Sequence, residues 1–264
     1  VEVTDERPFP LEGLERPAYI YDFGLRCPSE FPPGARTRFQ DTIAAVWDGR
    51  NEADGFNALV LGAGLAWRQA AILRAYAKYM RQGGTPFAQD YIEGALSGNV
   101  EITKLLVAFF EARFDPDRGP GDDPGRQSEC DRILGEIKTL LDEVSSLDQD
   151  RILRSYLTAM TATLRTSFFQ LDADGAPFDR VSFKIDPLQI PDLPAPRPKF
   201  EIFVYSPRVE GVPLRFGKVA RGGLRWSDRR DDFRTEVLGL VKAQMVKNTV
   251  IVPGGAKGGF FAQQ

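Results

Sequence analysis

The 264-residue sequence contains no histidine. That removes Ser-His-Asp and Cys-His nucleophile activation and the zinc sites built on imidazole, so acid–base chemistry must fall to Lys, Asp, Glu or Tyr. Cysteine is scarce too: Cys27 and Cys130 stand far apart with no CxxC partner. This argues against a disulfide framework and a thiolate metal site, and we expect a reducing compartment, the cytoplasm by default. No apolar run approaches the roughly 18–20 residues a membrane span needs. Val1 opens no signal-peptide pattern, and the missing initiator Met leads us to expect a chain that starts inside a longer protein. A net charge of −3 gives no general attraction to nucleic acid or to anionic lipid, so any anion recognition must be local.

With 42% hydrophobic and 27% charged residues, the chain can build one large domain or two ordinary ones. Ala18 to Leu25, bounded by Pro17 and Pro28, reads as a strand at the tail of a preceding domain. From about Thr37 the period becomes helical, with Phe39, Ile43, Val46 and Trp47 on one stripe. Residues 57–81 predict one or two packed helices stopped at Gly83-Gly84, followed by helices over 86–97 and 100–113. Residues 115–125 have the composition of an exposed loop; further helices are expected over 127–145 and 149–170, the latter with a stripe from Ile152 to Leu164. Then Val181 to Ile185 alternates with period two, and a proline-rich connection leads to Phe200–Tyr205. A helix from about Asp231 to Lys247 should turn Phe233, Val237, Leu240, Val241 and Met245 inward, with Ser227 or Asp228 as cap. Thr249–Val252 reads as a strand, and Pro253 to Gly259 as a second glycine-rich loop. We therefore expect a multidomain α plus α/β chain. Residues 1–33 end a preceding strand-containing domain, 34–172 form a helical module, and 173–264 begin an α/β domain.

Three motifs look chemical and are better explained as structure. Leu59 to Trp67 offers a GxG, but Trp67 stands where the third glycine of a dinucleotide fingerprint belongs, so we expect Gly62 and Gly64 inside a helix, binding no nucleotide. Asp172-Ala173-Asp174-Gly175 lacks the twelfth-position Glu of a calcium loop and reads as a turn. Gly254 to Gly258 lacks the GxxxxGK[ST] spacing of a phosphate loop. No metal site is expected.

Residues 218–260 are different in kind. Two basic residues flanked by glycine, Arg221 and Lys257, bracket Lys247 at a helix end. Glycines let backbone approach a ligand closely and leave the charge in a cleft, an arrangement that suits a small dianion. Isolated glycine-lysine loops are usually only turns, but three spaced elements in one segment shift the balance.

The motifs Arg221-Gly222-Gly223-Leu224-Arg225, Gln244-Met245-Val246-Lys247 and Pro253-Gly254-Gly255-Ala256-Lys257-Gly258-Gly259 resemble the substrate-binding domain of the glutamate dehydrogenase superfamily. The longer runs RGGLRWSDR, EVLGLVKAQ and AVWDGRNEADGFNALVL resemble its large, NAD-specific bacterial class. The resemblance implies that the helical module precedes the start of the substrate-binding α/β domain. It implies oxidative deamination of L-glutamate to 2-oxoglutarate and ammonia, with Lys257 catalytic, Gln244 and Lys247 on the substrate α-carboxylate, and Arg221 beside Gly222 and Gly223 facing the side-chain carboxylate. The family usually has Lys at the position of Arg221; Arg can grip a carboxylate with two bonds. The resemblance also implies NAD, bound outside this chain by a domain that follows the last motif together with a catalytic Asp, and a homo-oligomer. The 264 residues alone should then be inactive. Two other readings compete: an amino-acid dehydrogenase with an apolar side-chain pocket, and a regulatory or oligomerisation module of a related enzyme.

Overall fold

The computed structural model describes residues 2–26, 33–217, 222–247 and 255–263. Strands β1 (Glu2–Leu11) and β2 (Ala18–Arg26) pair as an antiparallel hairpin. The helical part follows as α1 (Ala35–Trp47), α2 (Ala58–Gly62), α3 (Trp67–Gln82), α4 (Gln89–Gly98), α5 (Val100–Phe114), α6 (Pro124–Leu141) and α7 (Leu147–Ala162). Local signals set these starts: Asp123 accepts from the Arg126 amide ahead of Pro124, and Ser146 accepts from the Gln149 amide, each satisfying an amide the helix cannot.

The rest is a mixed sheet built from β3 (Thr163–Thr166), β4 (Val181–Ile185), β5 (Phe200–Tyr205), β6 (Val209–Arg215), β7 (Leu224–Trp226) and β8 (Ala256–Ala262). Helix α8 (Phe233–Lys247) joins β7 to β8. The order is β3-β4-β5-β6-β8-β7, antiparallel throughout except for the parallel β7–β8 pair. A parallel pair needs a long crossover, and α8 supplies it.

Helix α3 is the centre of the core. Its Tyr76 ring stacks on Phe183 of β4 at 4.2 Å, Phe110 of α5 meets both rings edge-on, and Tyr79 packs on Phe203 of β5. One hydrophobic cluster thus runs from the helices into the sheet.

Several expectations need correction. The helix expected over 149–170 ends at Ala162, because Arg113 donates to the carbonyls of Met160, Thr161 and Thr163 and so caps its last turn. Leu164, expected on its stripe, lies instead on β3 and is exposed. The α1 stripe faces outward at Ile43 and Trp47, while Ala35, Thr42 and Ala45 are the buried positions. Gly62 ends α2, whereas Gly64 lies between α2 and α3 with φ +69°, not inside a helix. The Asp172 turn connects β3 to β4, its carboxylate accepting from the amides of Asp174 and Ala176. Neither Ser227 nor Asp228 caps α8: the Asp232 carbonyl accepts from Thr235 and Glu236, and Ser227 Oγ donates to the Glu236 carboxylate. Within α8, Phe233, Val237 and Val241 are buried as expected, joined by Leu238 in place of Leu240; Met245 is exposed. The strand expected at Thr249–Val252 lies outside the described residues.

Candidate functional site

The largest correction concerns the second glycine-rich loop, because Ala256–Ala262 is a strand, held by β6 on one side and β7 on the other. Lys257 therefore sits on a rigid element. Its glycines show which way it faces. A Cβ at Gly259 would land on Val237 Cγ2 of α8, and one at Gly255 would meet Val241 Cγ1 and Met245 Cγ at 3.2 Å. A Cβ at Gly258 would instead strike Leu224 Cδ2 at 2.6 Å and lie in ordinary contact with Pro213. Side chains alternate along a strand, so positions 255, 257 and 259 face α8 while 258 faces away. Lys257 is the one side chain of those three, framed by two glycines that let the helix lie on the strand.

The first glycine pair closes the site from the β7 side. Gly223 O accepts from the Gly258 amide at 3.0 Å, and a Cβ on Gly222 would come within 2.7 Å of Ala256 O, so no side chain fits there. A Cβ on Gly223 would sit 3.7 Å from Lys257 Nζ; with glycine, that space stays open beside the amine. Among the described residues Lys257 makes no ion pair, so its charge remains available to a ligand.

Helix α8 runs opposite to β8, with Val237 over Gly259 and Val241 over Gly255. Gln244 follows Val241 by three residues and so shares its face, at the end of the helix near Lys257. Lys247 ends the helix one turn on. The structure thus brings Gly222, Gly223 and Lys257 together with the C-terminal turn of α8; Arg221 lies outside the described residues.

The helix is held in place from below. Arg234 and Glu201 of β5 form a fully buried pair at 2.6 and 2.7 Å, and Gln82 of α3 accepts from the Arg234 amide while donating to Arg230 O. Burial alone lowers the Arg234 pKa, but the bonds to Glu201 outweigh it and the net shift is upward. Burial, reinforced by the charge of Glu201, pushes the Tyr79 hydroxyl well above its ordinary value. Arg225 adds an exposed tie from β7 to Glu236 at 2.5 Å. Sequence reasoning passed over Glu201, although the alternation of Phe200–Tyr205 puts it with Phe203 on the buried face.

A family model described as "Bacterial NAD-glutamate dehydrogenase, catalytic domain" matches residues 136–264, and one described as "Glutamate dehydrogenase, helical motif 3" matches 51–116. The chain is similar over its whole length, at 49% identity, to NAD-specific glutamate dehydrogenases of Halomonas elongata and Mycobacterium tuberculosis. It is 55% identical over 84% of its length to that of Pseudomonas aeruginosa. Residues 136–264 thus carry the catalytic-domain signature of the bacterial NAD-glutamate dehydrogenases, and residues 51–116 a helical motif of the glutamate dehydrogenases. The chain spans 14–17% of the length of these relatives. The helical-motif match falls on the segment that carries α2, α3, α4 and α5, and the catalytic-domain match contains the whole six-stranded sheet and α8.

Proposed function

We propose that this chain carries the glutamate-binding part of an NAD-dependent glutamate dehydrogenase, an enzyme that oxidatively deaminates L-glutamate to 2-oxoglutarate and ammonia. In that reading residues 1–33 close a preceding domain, 34–172 form a helical module whose last strand, β3, already joins the sheet, and 173–264 begin the substrate-binding α/β domain. We further propose that the whole protein is a cytoplasmic homo-oligomer; the two separated cysteines of this chain fit a reducing compartment.

One observation carries the reading: the Lys257 amine stands on a fixed strand, beside the open face of Gly223 and next to the last turns of α8. In the proposed roles, Gln244 and Lys247 hold the α-carboxylate and Arg221 the side-chain carboxylate, which puts the substrate α-carbon at Lys257. The neutral amine takes one proton from the water as it adds to the iminium carbon and the C–O bond forms; that proton passes to the nitrogen, the C–N bond breaks, and the remaining hydroxyl proton is lost as the C=O forms, so that the nitrogen leaves as ammonium. A preorganised cation there also stabilises the charge that develops on the carbonyl oxygen.

NAD supplies the hydride acceptor in this family, and we place its site beyond these 264 residues. The Gly62-x-Gly64 pair does not fit it, since Gly62 ends a helix and not a strand. No hydride step is therefore assigned to this chain's residues.

The test is steady-state kinetics of the full-length protein. Lys257→Met keeps the apolar stem and removes the amine, and kcat should fall by roughly a hundred- to ten-thousandfold, the usual loss of general acid–base catalysis, with the circular dichroism spectrum unchanged. Arg221→Met should act first on the apparent glutamate affinity, because uniform binding raises KM with less effect on kcat. A Lys257→Met enzyme with near-normal kcat overturns the assignment.

A further inference from the structure

The face of the sheet turned away from α8 carries a second cluster of basic residues. Strand alternation sends Lys184, Ile202, Pro213 and Leu224 to that face, and the ladders place Lys184 opposite Ile202 and both Pro213 and Leu224 opposite Gly258. Arg165 of β3 directly opposes Lys184 of β4. Like charges directly opposite one another on a sheet repel, yet among the described residues neither has an acidic partner. The Lys184 amine rests over the Phe200 ring at 4.3 Å. The nearest acid in sequence, Asp186, is already engaged with the Leu188 amide and the Gln189 side chain.

These side chains border a cavity of about 460 Å³ whose lining, among the described residues, includes Arg215 as well and no Asp or Glu. That volume falls in the ~300–1,000 Å³ range of small-molecule sites. Leu224 is 76% exposed and Ile202 and Pro213 half-buried, so the cavity joins an apolar floor to a cationic wall. Gly222, Gly223 and Lys257 line its edge as well, so the cavity adjoins the site of Lys257, whose side chain strand alternation turns toward α8 and away from Arg165 and Lys184.

We propose that this cavity holds a second anion site, centred on Arg165 and Lys184 on the face of the sheet opposite the Lys257 side chain, which takes a small organic dianion. Its charged head lies between Arg165 and Lys184, and its apolar body lies on Ile202, Pro213 and Leu224. Phosphate and dicarboxylate ligands share the needed chemistry, since both offer oxygens to guanidinium and ammonium donors. The proposal stands independently of the role given to Lys257.

The experiment is calorimetric titration of the full-length protein with phenyl phosphate and, separately, with phthalate, against KCl at matched ionic strength. Saturable binding of one or both is expected, and the arm that binds assigns phosphate or carboxylate. The Arg165→Gln/Lys184→Gln variant should weaken it at least about tenfold, as loss of a charge-assisted hydrogen bond does. Saturating glutamate, which the proposed function places at Lys257, should leave it unchanged. If the double variant does not fold by circular dichroism, Lys184→Gln alone carries the comparison. Absence of saturation, an equal response to KCl, or loss of binding under saturating glutamate with retention in Lys184→Gln overturns the proposal.

Discussion

Two sets of basic side chains in this chain meet opposite fates. On α3, Arg74 and Lys78 are buried and fully answered: Arg74 donates to both Asp54 oxygens and to Asn51 at 2.6 Å, and Lys78 lies 3.0 Å from Glu52 and from Glu210. On the sheet, Arg165, Lys184 and Lys257 have no acid among the described residues. The difference lies in the sequence around them. The segment Asn51 to Asn57 supplies a row of acids and amides aimed at α3, whereas residues 253–263 contain no acid at all. A cation whose partners are provided becomes architecture; one left unanswered on a rigid strand is available for a ligand.

The sharpest way to break this comparison is to remove a partner from the first set. Asp54→Ala leaves the Arg74 guanidinium buried without its carboxylate, and should cost about 3–5 kcal/mol of unfolding free energy, measured by denaturant titration. Lys184→Gln and Lys257→Met should instead stay within about 0.5 kcal/mol of the parent, as surface changes without a packing role do. If all three variants were equally destabilised, the division between structural and available cations would be lost.

A smaller effect sharpens the account of the glycines. Gly259→Ala puts a methyl group onto Val237, a stiff β-branched side chain, and should cost about 1–3 kcal/mol by overpacking. Gly62→Ala, with nothing within 4 Å of the added atom, should be neutral or stabilise by up to about 1 kcal/mol through the unfolded chain. Thermal midpoints of the two variants compare them directly. Equal midpoints would mean that α8 does not press on β8 as described.

The legible parts of the fold were those with a clean period. Helices α3 to α7 and strands β4 and β5 follow their apolar spacing, and the Arg-Gly-Gly, Gln-x-x-Lys and Gly-Gly-x-Lys-Gly-Gly motifs mark the segment that holds the candidate site. What escaped was decided by partners distant in sequence. Nothing local in Thr163–Thr166 announces that Arg113, fifty residues earlier, caps α7 and frees the chain to become a strand. Glycine-rich residues 255–259 read as a loop because their compatibility with a strand depends on α8 lying against them. Lys184 escaped for a simpler reason: its alternation with Phe183 was visible, but not that Arg165 would stand opposite.

The most direct measurement is chemical rescue of Lys257→Ala in the full-length enzyme by added primary amines. If the strand-held amine acts on the substrate, the impaired turnover should rise with amine concentration and depend on the basicity and size of the amine, while wild-type turnover does not. A folded Lys257→Ala enzyme that keeps near-normal kcat, or one that stays inactive whatever amine is supplied, would contradict the account.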